Sequence, residues 1–266
     1  MRSRALLALT TTALALTAVA VPAAHANDGP AAVPAPGEPQ LTDVSANGGQ
    51  ELVVGLTRKT FDVTLTATDD SGIAYGQGAA LWFDAGSLYR LLMPYGVRPV
   101  CTEVNATTST CVTRNIADPN HPDDRRDLTN ELAGRWDVYA AAQGRDGGVT
   151  ENPQAATVTF KREAKLSVDA SPEPAGPGEV LTVTGSLTRA DWDANKFRGF
   201  ASSAVNLEYR KKGTDVWTTV KTVQADAQGK LTTTVSASED GYYRYVYGGS
   251  RTTGAVISPA DFVDVT

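Results

Sequence analysis

The chain has 266 residues, with 24 Lys and Arg set against 30 Asp and Glu for a net charge of −6. Such a balance repels polyanions, and no basic run exceeds Arg210-Lys211-Lys212, which excludes nucleic-acid binding driven by phosphate neutralisation. It suits a soluble monomer and offers carboxylates to divalent cations.

Arg2 and Arg4 precede an apolar stretch over 5–21, which closes on Pro22 and the small-x-small pattern Ala24-His25-Ala26. This predicts a signal peptide over 1–26 and a secreted, extracellular product. A membrane span is the weaker reading, because the run is short and interrupted by Thr10, Thr11, Thr12 and Thr17. Removing the segment takes two of the 24 basic residues and none of the 30 acidic ones, leaving 22 against 30, or −8. Residues 27–40 hold four prolines and few bulky apolar side chains, so they are expected to be a flexible or polyproline-like lead.

The folded part is expected to divide into a first domain over 41–160, a linker over 161–163 and a second domain over 164–266. Each is long enough to close its own core. Phe61, Val63, Leu65 and Ala67 alternate with Asp62, Thr64, Thr66 and Thr68, a period of two that turns one apolar face inward. Leu181, Val183, Gly185 and Leu187 repeat the pattern. Further strands are legible over 79–83, 205–209, 217–223 and 231–237, separated by Gly, Asp and Asn clusters, with a turn over 225–230. Only 86–93 has room for a helical turn or two. The predicted fold class is all-β, as tandem immunoglobulin-like sandwiches.

Cys101 and Cys111 in an exported chain read as a local disulfide, worth about 2.5–3 kcal/mol in the loop-entropy account; two free thiols are the alternative. Asn105-Ala106-Thr107 also matches a glycosylation acceptor pattern. The glycine-led segments 134–140 and 241–247 align, each with an aromatic two residues after the glycine. That position suits a corner residue leading into a late strand, a role expected for Tyr243, with Tyr245 and Tyr247 in the core.

The second half resembles the immunoglobulin-like module of small secreted actinobacterial proteins through Ala170-Ser171-Pro172-Glu173-Pro174, Leu181-Thr182-Val183-Thr184-Gly185, Tyr209-Arg210-Lys211-Lys212-Gly213 and Asp240-Gly241-Tyr242-Tyr243-Arg244-Tyr245. The first half is similar to bacterial immunoglobulin-like domains through Ala67-Thr68-Asp69-Asp70-Ser71-Gly72-Ile73 and 134–140. The resemblance implies a secreted protein, with some relatives described as calcium-binding, and supplies no ligand motif to carry over.

Catalysis finds little support. Outside the predicted signal segment, His121 is the one histidine, in a proline-flanked loop, and no nucleophile elbow, zinc-binding helix motif or phosphate loop accompanies it. The chain is therefore read as a non-enzyme with a binding or structural role, its partner an unidentified extracellular protein or glycan, with no cofactor required. Calcium is the sharper alternative. Asp69, Asp70 and Asp146 fall in loops at one end of the first sandwich, while Asp123, Asp124 and Asp127 should face Asp191 and Asp193 across the domain junction. The plainer reading is that these aspartates cap turns. Carbohydrate binding is the second alternative, through exposed rings among Trp82, Tyr89, Trp192, Trp217 and Tyr242, although Trp192 equally suits an anchor for its own loop.

Overall fold

A computed structural model describes residues 37–84, 87–92, 98–122 and 127–266; the side chains of 82–84 and 87–92 lie outside it. The predicted signal segment 1–26 and residues 27–36 of the lead also lie outside the described residues, as do Asp123 and Asp124.

The chain is all-β. In the first half, β1 (Gln40–Ala46), β3 (Lys59–Thr68), β7 (Thr108–Ala117) and β6 (Val100–Glu103) form one sheet in that order. The facing sheet runs β2 (Leu52–Val54), β9 (Val149–Arg162), β8 (Gly134–Gly144), β4 (Ile73–Asp84), β5 (Ser87–Leu92). Four antiparallel strands against five, with β2 added parallel to β9 through Leu52↔Phe160, is the immunoglobulin-like arrangement of stacked sheets. The alternation read from the sequence determines which face turns inward: Phe61, Val63, Leu65 and Ala67 of β3 are all buried. Phe160 packs edge-on against Phe61 at 5.5 Å and tilted against Trp136 at 4.8 Å.

In the second half, β11 (Val180–Asp191) pairs with β10 (Ala164–Ser171), β12 (Lys196–Gly199) and β15 (Lys230–Ser236). The opposing sheet runs β14 (Thr218–Gln224), β13 (Ala204–Lys211) and β16 (Gly241–Tyr247), with β17 (Val256–Ile257) and β18 (Asp261–Val263) on the far side of β16. Tyr243, Tyr245 and Tyr247 point into this core, and the Tyr245 hydroxyl donates to the Val183 carbonyl at 3.1 Å across the sandwich.

Two local expectations need correction. Over 86–93, where the sequence has room for a helical turn or two, the described residues 87–92 form β5 instead, which pairs with β4 from Ala80↔Leu92 to Asp84↔Ser87; hydrogen bonding to a ready sheet edge overrides a weak local preference. The corner bond of the second sandwich is made by Tyr209 rather than Tyr243. Its hydroxyl donates to the carbonyls of Glu239 and Asp240 at 3.1 and 3.2 Å, with the Tyr243 ring tilted against it at 5.1 Å. In the first sandwich Trp136 does the equivalent, its indole N–H donating to the Leu132 carbonyl at 2.8 Å. Cys101 and Cys111 form a disulfide between directly paired residues of β6 and β7.

Candidate functional site

Three turns meet at one end of the first sandwich. Asp69-Asp70-Ser71-Gly72 joins β3 to β4, and Gly72 N–H closes it by donating to the Asp69 carbonyl at 3.0 Å. The turn after β8 carries Asp146, and the Arg145 N–H donates to the Gly72 carbonyl at 2.9 Å, so the two turns are tied through backbone. The hairpin between β6 and β7 joins them, the Asp69 N–H donating to the Thr107 carbonyl at 2.9 Å.

This stitching brings Asp69, Asp70 and Asp146 together, one oxygen of each within 4.8 Å of the others. Asp69 Oδ1 accepts from the Ser71 N–H at 2.8 Å and from its hydroxyl at 2.5 Å, while Ser71 Oγ accepts from the Asp146 N–H at 3.1 Å. Asp69 is only 4% exposed, and its Oδ2 has no hydrogen-bond partner. Burying a carboxylate oxygen without a partner costs several kcal/mol by rough reckoning, so such an atom marks a place where a cation or donor belongs. Arg145 lies beside this turn but pairs with Glu103, and among the described residues no Lys or Arg forms an ion pair with the three aspartates. Gly144 makes the approach possible: a Cβ there would stand 2.8 Å from Asp146 Oδ1 and 2.9 Å from the Asp69 carboxylate.

The junction aspartates have a different environment. Asn130, at the start of a 3-10 turn over Asn130–Leu132, donates one amide proton to Asp191 Oδ1 at 2.7 Å and another to Asp193 Oδ2 at 2.6 Å. Its backbone N–H donates to Asp193 Oδ1 at 3.0 Å. Its side-chain oxygen accepts from Arg162 Nη1 at 2.7 Å and from the Trp192 N–H at 3.0 Å, so the amide's hydrogen-bonding capacity is used in full. Asp191 Oδ2 pairs with Arg198 at 2.7 Å, and Oδ1 also accepts from the Ala194 N–H at 3.1 Å. The Asn130 bond above all, helped by the Ala194 amide, Arg198 and Arg162, holds the Asp191 carboxyl below its usual range. Arg162 is 8% exposed; burial, with a smaller push from Arg189, lowers it to about 10, leaving it charged at neutral pH. Its charge faces Asp191 and Asp193 where an interdomain ion was expected to sit. Asp127 is turned to its own loop, accepting from the His121 N–H at 3.3 Å.

Trp192 is 2% exposed and packs into the first sandwich's core beside Trp136 and Phe160, its indole N–H donating to the Gly55 carbonyl at 2.9 Å. It anchors its loop and offers no ring to a sugar. Trp217 and Tyr242 do share the outer face of the β13–β16 sheet, but Arg244 stacks on Trp217 at 3.9 Å and Arg210 on Tyr242 at 4.3 Å. The side chains of Trp82 and Tyr89 lie outside the described residues. Sequence reasoning missed Asn130 and Arg162, because an isolated amide and a linker arginine carry no motif.

No protein-family model matches the chain, and no curated protein matches it. Among solved structures it is similar to the Escherichia coli adhesin FdeC (10% identity, TM-score 0.33, covering 87% of this chain and 65% of that one). It is also similar to the D00-D0 domain of intimin (16%, 0.28, covering 83% and 99%). A third is dimeric latent PorU from Porphyromonas gingivalis (12%, 0.29, covering 86% of this chain), of whose length this chain spans a fifth (20%). At such scores these likenesses carry no functional information.

Proposed function

We propose that this is an exported, non-catalytic binding or structural protein of two immunoglobulin-like domains, 41–160 and 164–266 joined through 161–163. Its first domain holds a divalent cation of the calcium class at the end formed by Asp69, Asp70 and Asp146. One observation carries the metal reading: Asp69 Oδ2 is buried, lacks a partner, and belongs to a carboxylate set against two others. Hard cations take six to eight oxygens, and three carboxylates with water and turn carbonyls meet that demand. Export rests on the sequence over 1–26; among the described residues no helix is long and apolar enough to cross a membrane.

The test is calorimetric titration with calcium, paired with thermal melting before and after chelation. The expected affinity is about 0.1–1 mM, as for extracellular modules. Neither heat at millimolar calcium nor a change in Tm on chelation would end the metal reading, leaving the plain binding or structural role.

A further inference from the structure

We propose that the cleft between the first sandwich and the loop after β16 binds an oxyanion, a phosphate or carboxylate group presented by a small extracellular ligand. The cleft has a volume of about 700 Å³, within the usual range of ligand sites. One wall comes from β8 and β9, bearing Arg135 and Lys161 next to Glu51; the other comes from the loop bearing Gly248, Ser250 and Arg251. Lys161 and Glu51 satisfy each other at 2.6 Å. That leaves two guanidinium groups, Arg135 and Arg251, neither of which forms an ion pair among the described residues. Planar guanidinium forks match the paired oxygens of phosphate and carboxylate, and two of them lining one recess concentrate positive potential there.

Two further features agree. The chain as a whole carries −6, so a recess with three cations and one carboxylate runs against the prevailing sign. Gly248 also lacks a structural reason to be glycine: its φ lies outside the left-handed region, and a Cβ there would meet nothing within 4 Å. Close approach of a ligand to the backbone supplies that reason. The Ser250 hydroxyl accepts from the Thr252 N–H at 3.3 Å, which leaves its own proton to donate.

The experiment titrates the full chain with inorganic phosphate in one arm and glucuronate in the other. Sodium chloride at matched ionic strength is the control, and the amide resonances of Arg135, Gly248 and Arg251 are followed. The arm that saturates identifies the group. Arg135→Gln or Arg251→Gln should each weaken binding about tenfold, the loss of one charge-assisted bond. Gly248→Val should block the cleft without changing Tm, since the added methyls enter open space. Absence of saturation in both arms, or equal binding by the Arg135→Gln/Arg251→Gln double variant, overturns the proposal.

Discussion

The indole N–H of Trp192 reaches the Gly55 carbonyl at 2.9 Å, so a side chain that follows β11 completes a core built by the other sandwich. Burying 150–250 Å² of indole is worth at most about 4–6 kcal/mol at the usual area coefficient. Trp192→Ala should therefore lower stability by about 3–5 kcal/mol, cavity included. Urea unfolding would show it as a lower midpoint, with separate transitions for the two halves once their shared core is lost. A change under about 1 kcal/mol would mean that the packing contributes little.

Asn130 can face two carboxylates only because an amide donates twice. Asn130→Asp removes both donors and sets a third carboxylate against Asp191 and Asp193. We expect a loss of about 2–4 kcal/mol at neutral pH, and less for Asn130→Ala, which removes the bonds without adding repulsion. Equal melting of the two variants would argue against the electrostatic part.

Asp191 is held below its ordinary carboxyl range, foremost by Asn130. A depressed folded-state pKa contributes stability that is present above the unfolded value, about 3.9, and lost as pH falls through the lower folded value. The Tm of Asp191→Asn should thus lie below that of the parent at neutral pH and converge on it below about pH 4. Parallel profiles from pH 2.5 to 7 would refute this.

Burial pushes the Tyr245 hydroxyl up to about 12. The sign is opposite: a raised folded pKa contributes stability fully present below the unfolded value, about 10, and lost as pH climbs from 10 towards 12. Tyr245→Phe should cost about 1 kcal/mol at neutral pH through the lost bond to Val183, yet show a shallower alkaline decline. Denaturant midpoints at pH 8, 10 and 11.5 would check both limbs.

Asp69→Asn places an amide nitrogen where the unpartnered Oδ2 lies, while the other oxygen keeps its bonds to Ser71. Without calcium the variant should be more stable than the parent by about 1–2 kcal/mol, because a buried carboxylate becomes a neutral donor facing Asp70 and Asp146. It should also lose any response of Tm to calcium. Destabilisation in calcium-free buffer would show that the parent's carboxylate is already satisfied.

The sequence by itself determined several of the strands and their inward faces. Alternation along Phe61–Ala67 and Leu181–Leu187 is a local property, and one buried face allows only one orientation. It also placed Asp69, Asp70 and Asp146 at a common end, since the turn that leads into β4 and the turn that follows its antiparallel neighbour β8 lie at the same end of the sheet. Only the tertiary structure decided that 87–92 is a strand, that Tyr209 makes the corner bond, and that Asn130 and Arg162 hold the junction. Those outcomes depend on partners far along the chain: Asn130 meets Asp191 and Asp193 across 61 and 63 residues. A single amide or guanidinium leaves no period in a sequence; its role exists only once the two sandwiches have brought its partners within hydrogen-bonding distance.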